Sequence, residues 1–340
     1  MKTVSIPSAF WSVKAPFFVL LAVALLAPML LTTGFQLRLI SLICIYAILS
    51  VGFNLLYGYA GQIAMGHQGF FAIGAYGYAL LQLNAKFSAL GALPVSLMIC
   101  ALVALVIGVP LLRLRTHYLA MATLCFGIVI AGVANRWIEV TGGTAGLLIP
   151  ALTIGDKSVD RLTLYYVIVI VTALVLMLQN FIVSSHLGRS LQAIRDDERA
   201  AAALGVSVSV QKLRVFVLSA VLAGLAGIGF SVVSQQVSPS MGEFPVLVSM
   251  LTIAVVGGLG TRYGPVLGSI VVVAAPQLLT RFGELQTLVY GLCLLLFLIF
   301  LPNGLSGLLG SPSRLPRSRL FRRPPSRVPA NPAVKKGVGQ

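Results

Sequence analysis

Apolar runs long enough to cross a bilayer recur along almost the whole chain. They limit the fold more than any other feature. A helix needs about 17–25 apolar residues to span roughly 30 Å of hydrocarbon, whereas barrel strands are about ten residues long and alternate in polarity. The sequence therefore predicts an all-α polytopic membrane protein with about ten transmembrane helices, some of them short or broken by glycine. The predicted spans are Phe17–Thr33, Leu39–Tyr57, Gln68–Leu83, Gly91–Pro110, Tyr118–Ala134, Leu162–Ile182, Val215–Gln235, Val246–Leu259, Gly264–Thr280 and Leu285–Leu301.

Three segments follow from these runs. Residues 1–16 precede the first span, and residues 17–310 form the transmembrane domain, which includes a charged loop at 185–214. Residues 311–340 hold six prolines and eight basic residues, a composition that predicts a disordered tail near anionic lipid. The basic N-terminus and first apolar run resemble a signal peptide. Pro28 interrupts that run and no small-residue cleavage pattern follows it, so we expect an uncleaved first helix.

The distribution of basic residues predicts the orientation, since Lys and Arg are retained on the cytoplasmic side. With the N-terminus inside, 18 of the 24 basic residues fall in cytoplasmic segments. Ten spans also return the C-terminus to the cytoplasm. The net charge of +16 then reflects topology and contact with the lipid bilayer. No nucleic-acid partner is expected, because no soluble domain is present to carry a groove-reading element.

Charge is concentrated between Ser185 and Arg214, which hold three of the chain's eight acidic residues. Within this stretch, Ser190–Leu204 is rich in helix formers and Gly205 is a typical helix stop. We expect one short amphipathic helix lying at the membrane surface and inserting into a cleft of a soluble partner. A solvated charged loop remains the alternative. The charged positions of this helix are Arg195, Asp196, Asp197, Glu198 and Arg199.

Glycines cluster in two other places, Gly52–Gly77 and Gly257–Gly268. Gly260, Gly264 and Gly268 have the spacing of one smooth helix face, and Ala220/Gly224 and Ala223/Gly227 repeat it, which favours close helix packing. Alternatively, Gly58–Gly69 and Gly257–Gly264 break helices and leave backbone groups free at a substrate path. The candidate path residues are Asn54, Gly61, Gln62, Gly66, Gln68, Gly258, Gly260 and Gly264.

The predicted spans contain almost no ionisable residues, although ion-coupled carriers usually bury such residues along their path. An ion-coupled secondary transporter of a small polar metabolite remains the alternative, with only polar residues such as Asn54, Gln62 and Gln68 to use. The chain has no phosphate-binding GxxxxGK[ST] sequence and no nucleophile–base or Cys/His constellation. We therefore expect no catalytic residues, no cofactor and no metal site.

The longest predicted outer loop, Arg136–Arg161, contains TGGTAGLLIP, a turn-rich sequence typical of a compact surface loop. It is either a simple connector or a docking surface for an external partner.

Several of these stretches together resemble branched-chain amino acid ABC transporter permeases of the LivM type. The matching sequences, in the family's order, are GFNLLYGYAGQIAMGHQGFFAIGAY, TGGTAGL, GRSLQAIRDDERAAAALGVSVSVQKLRVFVLSAVLAGLAG, VVGGLGTRYGPVLGS and LPNGLSGLLG. They span roughly residues 52–310. The charged loop approximates the general permease motif E-A-A-x-x-x-G, but Glu198 and Gly205 are seven residues apart instead of six, and Arg199 follows the glutamate.

This resemblance implies the ABC importer permease fold and one of two pore-forming subunits of an ATP-driven importer in the bacterial inner membrane. The expected substrates are branched-chain or related amino acids. The implied partners are a second homologous permease, two cytoplasmic ATPases and a periplasmic substrate-binding protein. The resemblance assigns the docking of the ATPases to Arg195, Asp196, Asp197, Glu198 and Arg199, with Gly205 ending their helix.

Overall fold

The protein is helical in the computed structural model, which describes residues 28, 34–85, 87–114, 116–150, 152–154, 157–279, 286–301 and 304–308. The predicted N-terminal segment 1–16, the span Phe17–Thr33 (Pro28 excepted) and the tail 311–340 lie outside these residues. The helices in chain order are α1 (Gly34–Phe53), α2 (His67–Leu83), α3 (Ala89–Leu111), α4 (Thr116–Arg136), α5 (Ile138–Thr141), α6 (Arg161–Ser184), α7 (His186–Asp196), α8 (Glu198–Ala203), α9 (Val208–Ser234), α10 (Phe244–Gly257), α11 (Gly264–Leu278), α12 (Gln286–Phe300) and α13 (Leu305–Leu308).

Four two-residue strands supplement the helices. Strands β1 (Leu147–Leu148) and β4 (Gln236–Val237) pair antiparallel, and so do β2 (Thr153–Ile154) and β3 (Lys157–Ser158). Short 3₁₀ turns occupy Gly143–Ala145 and Pro239–Gly242. The prediction of an all-α polytopic membrane protein is confirmed.

Nine of the ten predicted spans correspond to helices in the structure: α1, α2, α3, α4, α6, α9, α10, α11 and α12. Within the described residues, five helices are long and apolar enough to cross a membrane: α1 with its continuation to Tyr59, α3, α4, α6 and α9. The third, eighth and ninth predicted spans are short as expected, with 17, 14 and 15 residues in α2, α10 and α11. Large apolar side chains such as Val106, Met121 and Phe181 are exposed on the outer helices, as a lipid-facing surface requires.

Helix α9 lies at the centre of the fold and packs mainly against α1, α2 and α3. Small residues allow this packing. A Cβ on Gly74 would lie 2.3 Å from the carbonyl oxygen of Gly224. One on Gly227 would lie 1.9 Å from the carbonyl oxygen of Phe71. The predicted close packing at Gly224 and Gly227 is confirmed, because backbones can approach this far only where no side chain intervenes.

The charged loop and the Arg136–Arg161 loop lie at opposite ends of the helices. Helix α6 begins at the second loop, where Asp160 caps it by accepting a hydrogen bond from the N–H of Arg161, and ends at Ser184 beside α7. Helix α9 returns from the charged loop over 27 residues, about 40 Å at 1.5 Å per residue, to reach β4. The two loops therefore face opposite sides of any bilayer that these helices cross.

Candidate coupling junction

The charged loop forms two helices, so the prediction of a single helix over Ser190–Leu204 is wrong. Helix α7 ends at Asp196, and Asp197 takes an extended conformation before α8 begins. The carboxylate of Asp197 accepts hydrogen bonds from the N–H groups of Arg199 and Ala200, at 2.9 and 3.1 Å, and so caps α8. An aspartate followed by a run of helix formers is a strong N-cap, and it competes with continuation of the helix. Helix α9 begins at Val208, which shortens the connection to 185–207.

The five charged positions assigned to docking differ in exposure and in bonding partners. Arg195 is half-buried and points toward the membrane domain, whereas Asp196 and Arg199 are exposed. Glu198 is exposed and pairs with Lys212, with 2.8 Å between Oε2 and Nζ. Asp197 is engaged as the cap of α8. Asp196 and Arg199 are therefore the members of this set best placed to reach a partner.

Gly205 ends α8 as predicted. Its φ of +84° lies in the left-handed region, and a Cβ there would meet nothing within 4 Å. Steric crowding therefore does not select glycine at this position. The backbone conformation does, because a β-branched residue adopts positive φ poorly.

Both glycine clusters break helices, which confirms that part of the second interpretation; the substrate path stays a prediction. Helix α1 continues into a π-helical segment, Asn54–Tyr59, and residues 60–66 are then non-helical. The second break covers residues 258–263, between α10 and α11. The face predicted for Gly260, Gly264 and Gly268 is wrong for Gly260, which lies in the break with φ +70°, before α11 begins at Gly264.

Asn54 joins the two breaks. Its side chain is 1% exposed. The amide Nδ2 donates to the carbonyl of Thr261 at 2.9 Å, and Oδ1 accepts from the N–H of Gly260 at 2.8 Å. One asparagine thus satisfies a donor and an acceptor that the second break leaves without helical partners. Gly58 allows the approach, since a Cβ there would lie 2.3 Å from Oδ1 of Asn54 and 2.5 Å from the nitrogen of Gly260.

Arg195 connects the charged loop to this pair of breaks. Its Nη1 donates a hydrogen bond to the carbonyl oxygen of Gly58. Gly61, at φ +69°, makes room for the aliphatic stem, since a Cβ there would lie 2.8 Å from Cγ of Arg195. A Cβ on Gly260 would lie 3.2 Å from Nη1. The arginine side chain is therefore seated among three glycines of the two breaks.

The break 258–263 is tightly folded upon itself. The hydroxyl of Thr261 donates to the carbonyl of Gly258 at 2.6 Å. A Cβ on Gly264 would lie 2.4 Å from that hydroxyl oxygen. Seven residues thus meet in one place, and we name them the junction. They are Asn54, Gly58, Gly61, Arg195, Gly258, Gly260 and Gly264. Backbone groups that the breaks expose are bonded within the chain at Gly58, Gly260 and Thr261.

The other three candidate path residues lie beside α4. The hydroxyl of Thr123 accepts from the N–H of Met65 at 2.8 Å, and a Cβ on Gly66 would lie 2.6 Å from the carbonyl oxygen of Thr123. Gln62 and Gln68 are 5% and 1% exposed, and their side-chain amides have no hydrogen-bond partner in the described part of the chain. Burying amides without protein partners is costly, so these two side chains are sites where a water molecule or a polar solute would be stabilised.

A polar cleft of about 240 Å³ separates the charged loop from the first break. Gly61 and Gln62 line one side, and Arg195, Glu198 and Lys212 line the other. The cleft therefore leaves part of the charged loop out of contact with the first break. At the edge of the cleft, the side chain of Arg195 spans from the loop to Gly58.

The opposite end of the molecule carries the Arg136–Arg161 loop. It is compact, as predicted, because α5, a 3₁₀ turn and strand β1 follow one another, and β1 pairs with β4. Trp137, Ile138 and Leu148 are exposed there. This exposed apolar surface is compatible with the docking interpretation.

Sequence reasoning missed Gln179 and Thr261. Gln179 is buried on α6 and its amide donates to the carbonyls of Thr261 and Arg262, each at 3.4 Å. The sequence did contain a signal for Gln179, because this polar residue interrupts an otherwise apolar helix. Thr261 contributes chiefly a backbone carbonyl, which no side-chain pattern reveals.

Comparison with known proteins places the chain in a family. The model of the branched-chain amino acid transport system permease component matches residues 35–301. The permease LivM of Salmonella typhimurium is 32% identical over 311 residues, which cover 84% of this chain and 73% of the relative. The corresponding LivM of Escherichia coli K12 gives the same identity and coverage.

Permeases named LivH and BraD are more distant. LivH of Salmonella typhimurium is 25% identical over 283 residues, covering 77% of this chain and 91% of that protein. BraD of Pseudomonas aeruginosa is 27% identical over 284 residues, with the same two coverages. No solved structure gives a significant match. On the family match and the identity to LivM, this chain belongs to the family of branched-chain amino acid transport system permease components.

Proposed function

We propose that this chain is a permease subunit of an ATP-driven ABC importer of the bacterial inner membrane, with branched-chain or related amino acids as substrates. The observation that carries the proposal is the junction. A charged loop at one end of the helices is bonded through Arg195 to the carbonyl of Gly58 beside the first helix break, and Asn54 bonds that segment to the second break. Such a link suits a membrane domain that is driven from outside itself. Family membership supplies the substrate class.

The implied assembly contains a second homologous permease and two ATPase subunits on the side of α7 and α8. Asp196 and Arg199 reach those ATPases, since both are exposed and neither side chain takes part in the cap of α8 or in the ion pair of Glu198 with Lys212. A substrate-binding protein docks at the opposite end, near the surface formed by Trp137, Ile138 and Leu148. Gln62 and Gln68 lie beside the solute path, where their unpaired amides exchange hydrogen bonds with the passing polar groups.

An ion-coupled secondary transporter is less well supported. Ion-coupled carriers usually place ionisable groups along their path. At its helix breaks the described core holds chiefly the uncharged amides of Asn54, Gln62 and Gln68. His67 is an ionisable group buried there, and it packs edge-on against the ring of Phe53.

We expect the purified chain, reconstituted alone in liposomes, to show no concentrative uptake of leucine when a gradient of protons or of sodium is imposed. Liposomes holding this chain with its second permease and the ATPases should accumulate leucine when ATP and the binding protein are supplied. The matched control is the same complex with non-hydrolysable ATP. Concentrative uptake by the chain alone under an ion gradient would show that the importer proposal is wrong.

We expect positions 192 and 144 to lie on opposite sides of the membrane. A single cysteine replacing Gln192 in α7 should resist a membrane-impermeant maleimide added outside intact cells, whereas one replacing Thr144 should react. Both positions should react after the cells are permeabilised. Labelling of position 192 from outside would reverse the orientation and move the ATPases to the other end of the molecule.

A further inference from the structure

We propose that Arg195 is the positioning residue that transmits movement of the charged loop to the membrane domain, through the Gly58 carbonyl and then through Asn54. The inference rests on the proposed function and assigns a route to it. It separates two roles within the loop: Asp196 and Arg199 hold the ATPases, whereas Arg195 is directed to the membrane domain and bonds to Gly58.

The first step of this route is the contact between Arg195 and Gly58. The guanidinium is a rigid, permanently charged donor, and hydrogen bonds from a charged donor are about twice as strong as neutral ones. Its acceptor belongs to the π-helical segment Asn54–Tyr59, and π-helical turns are rare and frequent at functional sites. A shift of α7 therefore acts on the irregular segment that continues α1.

The second step carries the shift from the first break to the second. Asn54 lies four residues before Gly58, in the same π-helical segment, and its two hydrogen bonds hold the backbone at Gly260 and Thr261. Any displacement of this segment must either break those bonds or take residues 258–263 with it. Since 258–263 connect α10 to α11, the route ends on two further membrane helices.

The third step is the freedom of the loop to move. Leu191 and Ile194 are buried and hold α7 on the membrane domain, but the cleft of about 240 Å³ leaves space between the loop and residues 60–62. Because residues 58, 61 and 260 are glycines, no side chains at these three positions restrict movement of the Arg195 side chain. The hydrogen bond of Arg195 to Gly58 is thus a polar link across this gap, and it tracks the loop as the cleft opens or closes.

The test compares Arg195→Ala with Arg189→Ala in the reconstituted complex. Both variants remove one arginine from α7, but Arg189 is exposed and makes only a 3.4 Å contact with the carbonyl of Ser184. We expect Arg195→Ala to assemble with the ATPases and hydrolyse ATP within about twofold of the unmodified complex, while uptake falls about tenfold or more, the factor expected for losing a charge-assisted hydrogen bond. Arg189→Ala should retain uptake, and Arg195→Lys should restore part of it.

Hydrogen exchange provides a readout that a purely structural role would not change. In the unmodified complex, ATP should alter exchange in peptides covering residues 54–66 and 258–264. Arg195→Ala should abolish that ATP-dependent difference, whether or not it also lowers stability, and Arg189→Ala should preserve it.

Three outcomes overturn the inference. Uptake by Arg195→Ala equal to that of Arg189→Ala would show that the contact transmits nothing, and so would an unchanged ATP-dependent difference in exchange. Loss of ATPase assembly in Arg195→Ala would show instead that Arg195 is a docking residue. If the unmodified complex shows no ATP-driven uptake, the proposed function itself fails, and that result is distinguishable from the other three.

Discussion

Replacing Asn54 with leucine should destabilise the protein and abolish transport. The substitution leaves the N–H of Gly260 without its partner and leaves the carbonyl of Thr261 with only the longer contact from Gln179. A buried polar group that loses its partner costs about 1–3 kcal/mol. Because the same amide ties the two helix breaks together, we also expect the break at 258–263 to lose its fixed geometry.

The matched control is Asn180→Leu on α6. The side-chain Oδ1 of Asn180 is buried without a hydrogen-bond partner among the described residues, so the same chemical change removes an unsatisfied acceptor there. Thermal unfolding of the detergent-purified variants should give a clearly lower midpoint for Asn54→Leu than for Asn180→Leu. Equal midpoints would mean that the bridge at Asn54 contributes nothing measurable.

Replacing Gly227 with alanine should disrupt the packing of α2 on α9. A Cβ there would lie 1.9 Å from the carbonyl oxygen of Phe71, and no rotamer change relieves a clash with backbone. Overpacking a filled core typically costs about 1–3 kcal/mol, and a backbone clash belongs at the upper end of that range. We therefore expect a lower unfolding midpoint and a reduced yield of monodisperse protein.

Gly132→Ala on α4 is the control, because it adds the same methyl group inside a helix. A Cβ at Gly132 meets nothing within 4 Å, and alanine is the better helix former. Size-exclusion profiles and melting curves of the two variants can be compared directly. If Gly227→Ala behaves like Gly132→Ala, then α2 and α9 are not as closely packed as the structure shows.

Parts of the junction could be anticipated from the sequence. A simple rule identifies Asn54, Gly258 and Gly260 as candidates. The rule is that polar residues and clustered glycines are unusual within apolar spans. The rule cannot say that position 54 bonds to positions 260 and 261. Contacts across more than 200 residues depend on how the helices stack, and local pattern carries no information about stacking.

The surroundings of Arg195 could not be predicted from local sequence, because the prediction of one continuous helix there was wrong. A continuous helix would place Arg195 and Arg199 one turn apart on the same surface. Asp197 instead caps a new helix, and the break in direction separates the two arginines. The capping signal was present in the sequence, but helix propensity over the alanine-rich stretch suggested continuity.

The sequence by itself determined the class of the protein and the approximate positions of nine of its membrane helices, and it offered both breaks as one of two interpretations. These features depend on the length of apolar segments and on glycine and capping residues, which act on their near neighbours in the sequence. Only the tertiary structure decided that the two breaks touch, that Asn54 satisfies the backbone groups of one of them, and that Arg195 points inward to the other. Those arrangements arise because buried polar groups must find partners wherever packing brings them, and packing is a property of the whole chain.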